Sequence, residues 1–216
     1  MAEPPNFQAE VRQLLRDRVL DAAYTLVCAE GWRAVNMSRI ATTVGISRQV
    51  LYKEFGAKQA VGEALVQRET DRFITGVISA MRAHPDDVVA GLTAGAAFTL
   101  RAGAEDDLVN ASMARAREAE VGLTPLLTSG PKPIWGAAMD VIVAAVREIY
   151  ELPSHVDRQL NWIIEVDFRL TFSHMSQPMG AVDDAVQQIH ATLRALFEAA
   201  DHAEPGVLAT PAAGQP

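Results

Sequence analysis

The segment Asn36–Lys58, NMSRIATTVGISRQVLYKEFGAK, limits what this chain can fold into more than any other part of it. Val35, Ile40, Ala41, Val44, Ile46, Leu51 and Phe55 recur at helical spacing on either side of Gly45, so two short helices can share one small core. Asn36 is a good N-cap for a helix through Val44, and Ser47 for a second through about Phe55. Gly45 permits the positive φ of a tight turn between them, and Ala41 is small where the two helices approach. Two short helices crossed about a glycine-containing turn form a helix-turn-helix.

With the apolar positions inside, Arg48, Gln49, Tyr52 and Lys53 face outward near the start of the second helix. Arginine pairs bidentately with guanine and glutamine with adenine, while tyrosine and lysine suit phosphate. The N-terminal end of such a helix is the part that enters a major groove. Lys58 and the first amides of the next helix add a phosphate site. The charge distribution points the same way. Residues 1–60 carry eight basic and six acidic side chains, an excess of two, in a chain of net charge −8 whose remainder therefore stands at −10. An anion-facing N-terminal module on an acidic body follows.

The rest of the chain reads as helix. Val11, Leu15, Val19, Ala22, Ala23, Leu26 and Val27 share one face of a first helix that Gly31 stops. Lys58 to about His84 reads as one long helix ended by Pro85. Further helices are expected at about Asp86–Arg101, Glu105–Ala119, Ile134–Tyr150, Ser154–Met175 and Ala181–Ala200, with loop chemistry at LTPLLTSGPKP. The expectation is an all-α protein of about nine helices with no strand: a three-helix helix-turn-helix domain over 11–57 and a larger helical domain over 58–202. The ends, 1–10 and 203–216, are rich in proline, alanine and glycine and are expected to be disordered.

Several function classes find no residues to support them. The opening MAEPPNFQAE lacks the basic and apolar regions of a signal peptide. No stretch approaches the roughly 18 apolar residues of a membrane span, which predicts a cytoplasmic protein with no membrane partner. Cys28 is the one cysteine and lies in an apolar stripe, where a buried thiol is expected. The five histidines, His84, His155, His174, His190 and His202, are scattered without metal-ligand spacing. There is no HExxH, no GxSxG and no phosphate-cradling glycine loop. No enzyme, cofactor or metal is expected.

Residues 12–66 resemble the DNA-binding domain of the TetR (tetracycline repressor) family of bacterial regulators. The resemblance rests on Ala22-Ala23, Glu30-Gly31, Ile40-Ala41, Gly45-Ile46-Ser47, Leu51-Tyr52, Phe55 and Lys58, in ungapped register. It implies that Ser38, Ser47, Arg48, Gln49, Tyr52, Lys53 and Lys58 lie at or near DNA. Asn36-Met37 replaces a frequent Thr-Thr pair. Val50 stands where threonine is frequent, and suits a thymine methyl. Glu54 occupies a position often held by histidine, where an acid can face a cytosine amino group, pair with Lys53 or point away.

The resemblance also implies a C-terminal domain that dimerises and binds an effector. Val182, Val186, Ile189, Leu193 and Leu196 form an apolar seam on the last helix, and Val156, Leu160, Ile163 and Leu170 form one of two apolar stripes on the helix before it. TetR-like proteins pair through their last two helices, so these nine residues are expected at a homodimer interface, which matches palindromic half-sites on double-stranded DNA. Phe98, Met113, Trp135, Met139 and Trp162, with Asn110, Arg117 and Glu165 to orient a ligand, are expected to line an effector pocket. The function implied is a ligand-responsive regulator, a repressor released from its operator by a small lipophilic effector. The alternative is a helical small-molecule-binding or scaffolding protein without specific operator recognition.

Overall fold

A computed structural model describes residues 7–105 and 134–202. The expected helix Glu105–Ala119, the loop LTPLLTSGPKP and the tail 203–216 lie outside the described residues, apart from Glu105. The described residues form nine helices and no strand: α1 (Phe7–Glu30), α2 (Met37–Val44), α3 (Arg48–Phe55), α4 (Lys58–Arg82), α5 (Val88–Glu105), α6 (Ile134–Ile149), α7 (Ser154–Asp157), α8 (Leu160–Ser176) and α9 (Val182–His202). They divide into two compact units. One contains α1 to α3 and α4 as far as Arg72; the other contains the rest of α4 from Phe73, then α5 to Ala104, and α6 to α9.

In the first unit the expected caps are in place. Asn36 accepts a hydrogen bond from the amide of Arg39 at 3.0 Å, and Ser47 accepts one from the amide of Val50 at 3.2 Å. Gly31 and Gly45 end α1 and α2 at φ 80° and 78°, the left-handed region that glycine enters without strain. Val19, Ala23, Val27, Val35, Ile40, Ala41, Leu51 and Phe55 are buried together with Val61 and Leu65 of α4. Each large aliphatic among them contributes about 1.5–3 kcal/mol relative to exposure. Met37 joins this core, so the Asn36-Met37 pair serves as cap and core. Val44 and Ile46 are only half-buried. Helix α1 begins at Phe7, inside the segment expected to be disordered, and Val11 is exposed rather than part of the buried stripe.

In the second unit Met81, Leu92, Val146, Leu160, Ile163, Ile164, Ile189 and Leu193 form the centre of the core. Tyr150 donates its buried hydroxyl to the carbonyl of Met81 at 2.9 Å. Gly91 makes this possible, because a β-carbon there would collide with the tyrosine hydroxyl. Asp87 caps α5, accepting from the amide of Ala90 at 2.9 Å, which moves the start of that helix to Val88. The expected helix Ser154–Met175 is two. At Gln159 the bonding tightens, its amide reaching the carbonyl of Val156 at 2.9 Å, and α8 restarts at Leu160.

The apolar seam expected at the dimer interface is covered in part within one chain. Val156, Leu160, Ile163, Ile189 and Leu193 are 0–4 % exposed within one chain, and Leu170, Val182, Val186 and Leu196 pack against that same core. The first five have no surface left for a partner, whereas these four are half-buried and keep part of theirs. Among the described residues, the large apolar side chains most exposed on α6 and α8 are Val141, Trp162 and Phe172.

Candidate nucleic-acid interface

The interface is built on α3, whose register is set by Leu51 and Phe55 pointing into the core. That leaves Arg48, Gln49, Val50, Tyr52 and Lys53 exposed, Val50 at 42 % and Tyr52 at 50 %. Among the described residues no hydrogen bond or ion pair engages the side chains of Gln49, Tyr52 or Lys53. Arg48 donates to the hydroxyl of Ser38 on α2 at 3.3 Å, so these two expected contacts are adjacent and steer one another. Ser47 uses its oxygen as the N-cap acceptor and keeps its hydroxyl hydrogen to donate.

Lys58 has a second role. Its ammonium donates to the carbonyl of Trp32 at 2.8 Å and lies 4.6 Å from the centroid of the Trp32 ring. Burial holds its pKa below the ordinary lysine value. The first residue of α4 is thereby tied to the turn after α1, next to the recognition helix.

Glu54 points away from the outward face of α3. Its carboxylate accepts from Nε of Arg12 at 2.9 Å and from Nη1 of Arg16 at 2.8 Å, and the Arg16 guanidinium stands 4.5 Å over the ring of Phe55. Burial raises the Glu54 carboxyl, but the hydrogen bonds from Arg16 and Arg12 outweigh it and the pKa falls below the usual value. Arg12 and Arg16 were not among the expected site residues; their i, i+4 spacing on α1 is the available signal. Two further ties brace the unit: Arg39 pairs with Glu30, and Arg68 of α4 reaches Asp21 at 2.8 Å and the carbonyl of Asp17 at 3.3 Å on α1.

The described members of the expected effector set, Phe98, Met139, Trp162 and Glu165, do not all gather in one place. Asn110, Met113 and Arg117 lie outside the described residues, as does the side chain of Trp135. Phe98 packs against Phe73, with ring centroids 5.8 Å apart, over the bare backbone of Gly76. Met139 and Glu165 line a groove with Gly136, Phe168, Arg169 and Phe172, where Glu165 is paired with Arg169 at 2.7 Å. Trp162 is 44 % exposed, a surface position rather than a pocket wall. On α8 the half-buried acid Asp167 interrupts the stripe of Leu160, Ile163, Ile164 and Thr171; an acid at that spacing was the signal to follow. Among the described residues no group of three His, Cys, Asp or Glu side chains could hold a metal, and no helix is long and apolar enough to cross a membrane.

A braced helix-turn-helix with an outward basic and amide-bearing second helix defines a DNA-binding transcriptional regulator. Two family patterns match the chain: that of bacterial regulatory proteins of the tetR family over residues 19–65, and that of the bacterial tetracyclin repressor C-terminal domain over residues 87–195. The chain belongs to the TetR family. It is 29 % identical over 178 residues to the HTH-type transcriptional regulator AlkX of Mycobacterium tuberculosis, covering 82 % of each protein. It is also 35 % identical over 72 residues, 33 % of each, to the HTH-type transcriptional activator FasR of Mycolicibacterium smegmatis. Among solved structures it resembles the TetR family repressor AlkX from Dietzia sp. strain DQ12-45-1b, implicated in biodegradation of n-alkanes. The TM-score is 0.60 at 26 % identity, over 85 % of this chain and 95 % of that one.

Proposed function

We propose that this regulator is a repressor that binds a palindromic operator as a homodimer and is released by a small lipophilic effector. The observation that carries the DNA-binding part is the face of α3. Gln49, Tyr52 and Lys53 are exposed and uncommitted there, whereas Glu54, the one acid of that helix, is neutralised by two arginines of α1. An α3 so arranged presents hydrogen-bonding groups to base edges and positive charge to phosphate. Ser38, Ser47, Arg48, Val50 and Lys58 complete the contact surface. Such a protein works in the cytoplasm, where bacterial DNA is.

Two-fold pairing puts two α3 helices into successive major grooves when they stand about 34 Å apart. The dimer surface takes in the outer face of α6 and α8, where Val141 and Trp162 are exposed, together with the half-buried members of the α8/α9 seam, Leu170, Val182, Val186 and Leu196. Effector release requires that the ligand bind one arrangement of the dimer more tightly than the DNA-competent one. The similarity to the AlkX repressor supports repression and an apolar effector.

The deciding experiment selects fragments of the native genome bound by the full chain, then screens lipophilic compounds for release. Specific binding should weaken steeply as salt rises. A chain that folds and dimerises but selects no fragment overturns the regulator reading in favour of a helical binding or scaffolding protein.

A further inference from the structure

The outward face of α8 carries Trp162, Glu165, Arg169 and Phe172 in a row, at the alternating spacings of three and four that follow one side of a helix. Ile163, Ile164 and Thr171, buried in the core of the unit, fix that register from behind. Trp162 is 44 % exposed and Phe172 38 %. Between them Glu165 and Arg169 form an ion pair at 2.7 Å that is open to solvent. Beside the row, Met139 of α6 lines the groove with Phe168 and Phe172, and Gly136 leaves open space where a β-carbon would stand. The groove holds about 260 Å³, below the roughly 300–1,000 Å³ of a site that encloses a small molecule. It suits a single side chain.

The row runs aromatic, acid, base, aromatic, and it is centred level with position 167. Turned end for end about that point, it falls on its own complement. Trp162 then meets the partner's Phe172, Glu165 meets the partner's Arg169, and two-fold symmetry repeats each contact. Parallel copies would instead set acid on acid and base on base, which costs free energy. The pair within each chain need not break, because a carboxylate has lone pairs enough for two guanidinium groups. Four charges then join in one network, flanked at each end by stacked aromatic rings.

We propose that α8 of one copy lies antiparallel on α8 of a second copy, centred level with position 167, and that Glu165 and Arg169 select this partner and this orientation. The indole of Trp162 seats in the partner's groove. A chain of the same fold with acid and base exchanged is refused, since it sets like charges together. This assignment rests on the reading of the chain as a homodimer.

The test co-expresses full-length chains under different tags and follows sedimentation and helicity. Glu165→Arg puts two bases on the row and Arg169→Glu two acids, so each variant alone should dimerise at least about tenfold more weakly than the wild type. Co-expressed, the two should recover wild-type dimerisation as a one-to-one heterodimer, which misfolded chains could not do. Wild-type affinity in either variant alone overturns the assignment, as does a mixture that stays monomeric. Trp162→Cys and Phe172→Cys give a second check that leaves the charges in place. Equivalent positions 162 stand about 15 Å apart along the axis in this register, too far for a disulfide. Each cysteine variant oxidised alone should therefore stay uncrosslinked at this position, whereas the mixture should give a disulfide-linked heterodimer. No such heterodimer, or equal cross-linking by either variant alone, overturns the register. A wild-type chain that sediments as a monomer removes the homodimer reading beneath it and leaves the row to a different protein.

Discussion

Glu54 of the recognition helix and Arg16 of α1 are joined by a 2.8 Å hydrogen bond across thirty-eight residues of chain. Arg12 holds the same carboxylate from the preceding turn of α1. The acid that sits in the DNA-reading helix is therefore a tether that fixes how α3 lies on α1.

Replacing Glu54 by Gln keeps the shape and removes the charge. Because its folded pKa lies below the unfolded value near 4.5, its contribution is complete above about pH 4.5 and is lost as pH falls through the folded value. Urea titration should show Glu54→Gln about 1–2 kcal/mol less stable at pH 7. The gap should close toward pH 3. A gap independent of pH would mean that the carboxylate charge contributes nothing.

Gln49 and Lys58 separate reading from bracing. Gln49→Ala should leave stability unchanged and relax preference at one base position, worth about 1–3 kcal/mol. Lys58→Met should lower stability by about 1 kcal/mol through loss of the bond to the Trp32 carbonyl. It should also reduce the salt slope of operator binding by about one. An unchanged slope would assign Lys58 to the scaffold alone.

How much of this was legible beforehand depends on distance along the chain. The caps at Asn36 and Ser47, the turn at Gly45 and the outward register of Arg48 to Lys53 follow from neighbours within one or two helical turns, and local spacing reveals them. The partners of Glu54 lie about forty residues away, so its three open readings could not be narrowed without the packing of α1 on α3. The stripe Val182 to Leu196 posed a different difficulty. Apolar periodicity says that a face is covered, but not whether its own chain or another covers it, and here Ile189 and Leu193 are covered by their own.

The two kinds of apolar residue on α8 should respond differently. Trp162→Arg, at an exposed position, should shift sedimentation from dimer toward monomer with little change in helicity. Leu160→Ala, at a fully buried one, should cost about 2–5 kcal/mol of stability. If Trp162→Arg sediments as the wild type does, the outer face of α6 and α8 is not the dimer surface.

Asp167 gives a pH dependence of opposite sign to that of Glu54. Its carboxyl is raised from 3.8 to about 7, so the folded state holds a proton the unfolded state has lost, and stability declines as pH rises through that interval. Asp167→Asn should therefore stabilise the protein at pH 8, by at most roughly 4 kcal/mol, and hardly at all at pH 4. Thermal unfolding at the two pH values checks this; equal effects at both would place the charge elsewhere.

The seat of the Tyr150 hydroxyl over Gly91 has a consequence for relatives not yet sequenced. Two positions fifty-nine apart share one small volume, and the bond to Met81 exists only while position 91 is bare. In an alignment, a side chain at 91 should coincide with loss of the tyrosine at 150. The pair would then vary as a single character, inherited together or lost together.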